Sequence, residues 1–200
     1  MLRKKSPADD QAGPKIISGG RDEPYLIDRI ASKDLRAFEE LYRLYYPRLS
    51  RFLINTIRRP QLVEEAINDT MLVVWDRSTT YNGTSKVSTW IFAIAYRKGL
   101  NALRGWDDPL DDKHLELMAS GDAGPEQMLG ASQSHRDLLE ALGQLSPDHR
   151  AVINLAYFHD AGYREIAEIM DCPVDTVKTR MFHPRRHLKA KLAGGLTDWL

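Results

Sequence analysis

Apolar residues recur at intervals of three and four in two separate stretches of this chain, and that spacing constrains the fold most. It puts one dry face on an α-helix and cannot do so on a β-strand. In the first stretch Leu35, Phe38, Leu41, Tyr42 and Tyr45 follow the rule, and Leu49, Phe52 and Leu53 resume it after Pro47. Leu62, Val63, Ala66, Ile67, Thr70, Met71 and Val74 mark another helix. Val87, Trp90, Ile91, Ile94 and Ala95 mark a further one, ending near Arg104. The second stretch carries Leu138, Leu139 and Leu142, then Val152, Ile153, Leu155, Ala156 and Tyr157. Ser146-Pro147-Asp148 reads as a helix start: a capping hydroxyl, a proline suited to the first turn, and an acid at the positive dipole end. Gly162 is expected to stop that helix. No strand-period run of useful length occurs. The expectation is an all-α chain of two small helical domains.

Between the two stretches, residues 106–133 hold seven acidic residues, one lysine, two prolines and three glycines. This composition predicts a flexible acidic linker, in which Leu115–Met118 forms a short turn at most. Residues 1–24 lack periodicity and read as a mobile arm. The organisation is therefore an arm (1–24), a helical bundle (25–105), a linker (106–133) and a second helical domain (134–200).

The strongest motif lies in YREIAEIMDCPVDTVKTRM, 163–181. Ile166, Ala167 and Met170 give one apolar stripe, Cys172, Val174, Val177 and Met181 the next, and Asp171-Cys172-Pro173 the turn between. That is a helix-turn-helix pattern, whose second helix offers its first turns to base edges. Thr176, Lys178, Thr179 and Arg180 face out, and Arg reads guanine while Lys and Thr hold phosphates. An ordinary helical hairpin with a solvated basic face would show the same pattern. From 175 to 192 the chain carries six Lys/Arg and one Asp, yet Pro184 sits inside this run.

Two further segments are informative. In 79–104 a helix follows a polar loop with an Asn-Gly turn, and an apolar stripe interleaves with Lys86, Thr89, Tyr96, Arg97, Lys98, Asn101 and Arg104. Aromatic and basic groups beside such a loop suit single-stranded or melted DNA. Trp90 lies on the apolar stripe and reads instead as a core aromatic. In 61–77, Glu64, Glu65, Asn68, Asp69 and Asp76 form an acidic-polar face. Such a run is more often a solvated face, and a dock for a basic partner helix is the alternative.

Other classes have little support. The 28 basic and 28 acidic residues cancel, so DNA binding must rest on charge placement. Cys172 is the single cysteine, which excludes an intrachain disulfide and fits a reducing compartment. No Gly-rich phosphate loop, HExxH or nucleophile elbow points to an enzyme. His183 and His187 are four apart with Pro184 between them, so neither metal nor cofactor is expected. No apolar run reaches the roughly 20 residues of a membrane span. Nothing reads as a signal peptide, and a cytoplasmic protein is the expectation.

In combination, the segments resemble the extracytoplasmic-function (ECF) sigma factors of bacterial RNA polymerase, members of the sigma-70 family. DLRAFEELYRLYYPRLSRFL (34–53) is similar to the start of their region 2, and EEAINDTMLVVWDR (64–77) to the segment that docks on the clamp helices of the largest polymerase subunit. SKVSTWIFAIAYRKGLNALR (85–104) resembles the helix that opens and reads the −10 element. Residues 145–192 resemble region 4, which reads the −35 element. The order and spacing of these segments are more specific than any single motif.

The resemblance assigns roles to matched positions. It puts Asn82, Ser85, Lys86 and Thr89 at the flipped-base pocket and strand-separating loop, and Arg97, Asn101 and Arg104 toward upstream −10 DNA. Thr176, Lys178, Thr179, Arg180 and Arg185 fall on the −35 helix; by charge alone Arg185, Arg186, Lys189 and Lys191, past Pro184, suit phosphates. Glu64, Glu65, Asn68, Asp69 and Asp76 fall on the polymerase dock. The family usually has Gln at Asn68, glycine at Asp171 and alanine at Pro184. The resemblance also implies core polymerase, including the flap of its second-largest subunit, promoter DNA and an anti-sigma factor as partners, in a stress response. It implies a bacterial, cytoplasmic protein without enzymatic activity. The acidic linker is expected to replace a middle domain and thread the basic RNA channel. Pro184 is expected to kink the helix between a base-reading half and a phosphate-gripping half. A stand-alone helix-turn-helix regulator leaves 61–104 without a role, and a decoy without promoter reading lacks the receiver domain that would favour it.

Overall fold

The computed structural model describes residues 22–106 and 140–191. The arm up to residue 21, the linker from 107, the Leu115–Met118 turn, Leu138 and Leu139 lie outside the described residues.

Four helices form the first half: α1 (Glu23–Ala31), α2 (Leu35–Ile57), α3 (Pro60–Arg77) and α4 (Val87–Arg104). After 140 come α5 (Pro147–Phe158), α6 (Tyr163–Met170) and α7 (Val174–Lys191). A helical turn at 140–143 precedes α5, and a 3-10 turn, Ser78–Thr80, follows α3. No strand occurs among the described residues.

Local chemistry explains most boundaries. Asp34 caps α2: its Oδ1 accepts from the N–H groups of Arg36 at 2.9 Å and Ala37 at 3.3 Å. Arg29 donates to the other oxygen, at 2.9 Å from Nε and 2.6 Å from Nη2, and its hydrogen bond lowers the Asp34 pKa. Ser146 caps α5 by accepting from the His149 N–H at 3.4 Å, with Pro147 and Asp148 in its first turn as expected. Asp171 takes the left-handed conformation at φ 50° that closes α6, where most side chains would be strained.

Three boundaries differ from expectation. First, α1 begins at Glu23, within the stretch read as arm. Glu23 is buried, accepts from Tyr45 Oη at 2.8 Å and faces Arg48 Nη1 at 3.5 Å. Burial pushes the Tyr45 phenol pKa far up. Second, α2 runs unbroken through Pro47. Third, Gly162 does not stop α5. That helix ends at Phe158, Asp160 takes the left-handed turn, and Gly162 opens α6, its N–H donating to Glu165 Oε2 at 3.0 Å.

The helices pack into one continuous apolar core. Tyr45, Phe52, Phe92, Leu41, Leu49, Leu53 and Ile67 are fully buried in the first half. Gly99 lets α4 press on α2: an added Cβ would sit 2.7 Å from Leu53 and 3.3 Å from Ile57. The two halves lie against each other, α5 along α2 and α6 along α4. Arg150 staples them, with Nε donating to the Thr56 carbonyl at 2.9 Å and Nη1 to the Leu145 and Gly143 carbonyls. The Thr56 carbonyl belongs to the last turn of α2, where intrahelical partners run out, so Arg150 satisfies it. Burial lowers the Arg150 pKa to about 10.

Candidate nucleic-acid interface

The loop before α4 is built by its own short-range hydrogen bonds. Asn82 Oδ1 accepts from Thr84 N at 3.1 Å and Thr84 Oγ1 at 2.7 Å, a tight turn that Gly83 completes at φ 73°. Tyr81 Oη donates to the Ser85 carbonyl at 2.6 Å, and its ring meets Trp90 at 5.4 Å. Beside the loop opens a cleft of about 860 Å³, lined by Glu23, Arg48, Tyr81, Ser85 and Lys86 among others. It has aromatic, hydroxyl and cationic walls, the groups that stack on and hydrogen-bond an unstacked base.

The candidate −10 residues divide. Asn82 and Lys86 are exposed, and Ser85 is half-buried on the cleft wall. Thr89 is buried, 4 % exposed. Arg97, Asn101 and Arg104 are exposed at helical spacing on one face, Arg104 reaching Asn101 Oδ1 at 3.4 Å. Trp90 is half-buried against Tyr81, and Tyr96 is buried.

On α7 the helix-turn-helix forms as read, with Val177 and Met181 buried against α5 and α6. Lys178 is exposed and pairs with Asp175 at 2.9 Å, a hydrogen bond that lowers the Asp175 pKa. Thr179 Oγ1 donates to the Asp175 carbonyl at 3.0 Å, and Thr176 is half-buried. Arg180 Nη2 pairs with Asp148 Oδ2 at 2.6 Å. Arg185 and Arg186 are exposed, and Arg185 Nε donates to Tyr157 Oη at 3.1 Å. The helix continues past Pro184, which is buried.

On α3, Glu64, Glu65, Asn68 and Asp76 are exposed, and Asp69 is half-buried in a 2.9 Å pair with Lys98. Asn68 Oδ1 accepts from Tyr42 Oη at 3.0 Å, and Tyr42 stacks on exposed Tyr46 at 5.7 Å. Sequence reading missed Leu72, 58 % exposed amid this acidic face, and Tyr46 beside it. Leu72 breaks the apolar period, and that was its available signal.

The halves also meet through polar side chains. Lys86 Nζ pairs with Glu165 Oε1 at 2.5 Å, which lowers the Glu165 pKa, and Tyr96 Oη donates to Asp148 Oδ1 at 2.7 Å. His159 lies 4.6 Å from the Phe92 ring and 6.1 Å from Phe52, and burial lowers its pKa to about 4. Among the described residues no helix is long and apolar enough to cross a membrane, and no metal-holding group of His, Cys, Asp or Glu occurs.

Comparison with known proteins fits this geometry. Sigma-70 region 2 matches residues 41–107, and Sigma-70, region 4 matches residues 135–188. The chain is 30 % identical over 152 residues to the ECF RNA polymerase sigma factor RpoE of Cereibacter sphaeroides, covering 74 % of this chain and 82 % of that one. It is 27 % identical over 177 residues to the ECF RNA polymerase sigma-E factor of Haemophilus influenzae, covering 84 % and 93 %. Its fold is similar to that of CnrH, solved in complex with the cytosolic domain of CnrY. The TM-score is 0.64 at 21 % identity, covering 86 % of this chain and 98 % of that one. The fold is also similar to that of RpoE, solved with the anti-sigma factor NepR from Bartonella quintana. There the TM-score is 0.60 at 22 % identity, covering 79 % and 98 %. With both sigma regions matched in order on a helical bundle and a helix-turn-helix, the chain belongs to the ECF sigma factors, the subunits that direct bacterial RNA polymerase to promoters.

Proposed function

We propose that the two halves divide promoter recognition as follows. The exposed face of α3, with Glu64, Glu65, Asn68, Asp69, Asp76 and the newly found Leu72 and Tyr46, docks on the polymerase clamp helices. A central apolar contact ringed by acids suits a basic partner helix with an apolar stripe. The cleft beside Ser85 and Lys86 takes a flipped −10 base, while Arg97, Asn101 and Arg104 follow upstream phosphates. Thr176, Lys178, Thr179 and Arg180 face −35 bases, and Arg185 and Arg186 grip the backbone. Thr89, buried while the halves are closed, reaches DNA only once they part. The protein works in the bacterial cytoplasm, without catalysis of its own, and an anti-sigma factor holds it until a stress signal. The domain limits 25–105 and 134–200, with the acidic linker between, are part of this reading.

The single observation that carries it is the cleft: a hydroxyl-, cation- and aromatic-lined space at the start of the helix that bears the basic upstream face. Permanganate footprinting of reconstituted holoenzyme tests it. Wild-type protein should expose −10 thymines, and Lys86→Ala or Arg97→Ala should cut that reactivity several-fold while core binding stays. Full reactivity in both variants would sink the assignment.

A further inference from the structure

One carboxylate joins the helices of both halves that carry the DNA-contacting residues. Asp148, in the first turn of α5, offers Oδ1 to Tyr96 of α4 at 2.7 Å and Oδ2 to Arg180 of α7 at 2.6 Å. Tyr96 is 6 % exposed, and the Arg180 and Asp148 side chains are 28 % and 35 % exposed. The bond to Tyr96 crosses between the halves; the bond to Arg180 lies within the second. A carboxylate at this distance gives a guanidinium what a DNA phosphate gives it: a charged, hydrogen-bonding oxygen. Glu165 does the same across the same boundary, pairing with Lys86 at 2.5 Å.

We propose that Asp148 is a latch that ties closure of the two halves to the occupancy of Arg180. While Arg180 neutralises it, Asp148 sits partly desolvated beneath α4 and holds the Tyr96 hydroxyl. When DNA takes Arg180, by a base edge or by a phosphate beside it, Asp148 loses its cation. A carboxylate without its counterion is poorly tolerated against a packed helix and is hydrated once the helices part. DNA on α7 therefore favours release of α4, and by linkage an opened chain binds DNA more tightly. The latch rests on the DNA-contacting role given to Arg180, but closure can be read without transcription.

The test is single-molecule energy transfer on the full chain, with dyes at Ser32→Cys and Glu168→Cys in a Cys172→Ser background. Both labelling positions are exposed. The labelled chain should populate a compact state. Tyr96→Phe, which keeps the ring, and Asp148→Ala should each raise the extended-to-compact ratio roughly fivefold, the factor that about 1 kcal/mol carries. The double variant should do no more than either alone. A 20-base-pair mixed-sequence duplex at low salt should extend the parent chain and shift Asp148→Ala far less. Additive single effects, an equal DNA response in both proteins, or no compact population would overturn the latch. Failure of promoter opening, by contrast, would count against the function and leave this ratio readable.

Discussion

Acidification should part the two halves, and His159 sets where that begins. Its ring packs on Phe92 and Phe52, and its Nε2 is buried without a hydrogen-bond partner. Arg48 and Arg51 on α2 disfavour its charged form, and only Asp160 favours it. Burial is the larger cause, and together they lower the pKa from 6.5 to about 4 in the closed arrangement. Parting the halves returns the ring to water and its pKa toward the ordinary value. The neutral ring thus stabilises closure above that value, and the stabilisation fades as pH falls through 6.5 toward 4. Between pH 7 and pH 5 the full shift would remove about 2 kcal/mol. The ring borders a cleft of about 330 Å³ with Arg48, Arg51 and Asp160, so solvent screening trims this to about 1 kcal/mol. The energy-transfer assay should then show the extended-to-compact ratio rising about fivefold over that interval. His159→Phe should stay compact and flatten the profile, while His149→Asn should leave the profile in place. An unchanged wild-type ratio, or a profile that survives in His159→Phe, would refute the argument.

Other substitutions test the packing. Arg150→Met should cost about 2–3 kcal/mol by leaving the Thr56 carbonyl unpaired, read as lost cooperativity between the halves in denaturant. Glu23→Ala should cost about 1–3 kcal/mol by leaving the buried Tyr45 O–H without its acceptor, read as a lower thermal midpoint, and an unchanged midpoint would contradict the role of α1. Pro184→Ala restores an N–H toward the Arg180 carbonyl. It should add about 1–3 kcal/mol to the stability of the second half, and −35 affinity should change with the aim of Arg185 and Arg186.

The legible parts of this fold were those written in short-range chemistry. Ser146-Pro147-Asp148 starts α5, and the Asp171 turn holds, because cap and turn preferences act within a few residues. The illegible parts depend on distant partners. Glu23 looks like an exposed arm residue until Tyr45, 22 positions away, gives it a reason to be buried. Pro47 is absorbed because long stretches of α2 are packed on several neighbours. Thr89 matched a DNA-facing position by family resemblance, yet it is buried on a helix whose neighbouring Phe92 and Tyr96 meet the second half. Asp148 read as a helix-dipole residue; its bonds to Tyr96 and Arg180 exist only because α4, α5 and α7 converge. Exposed Leu72 shows the reverse case, where a broken period was itself the signal.

The most direct test of promoter recognition is transcription on a genomic-fragment library by bacterial core polymerase, with and without the chain, read by sequencing 5′ transcript ends. New start sites should appear only with the protein, preceded by two shared motifs, and Arg180→Ala should deplete sites by their upstream motif while Lys86→Ala depletes them by the downstream one. Transcript ends that are the same with and without the protein would contradict the account.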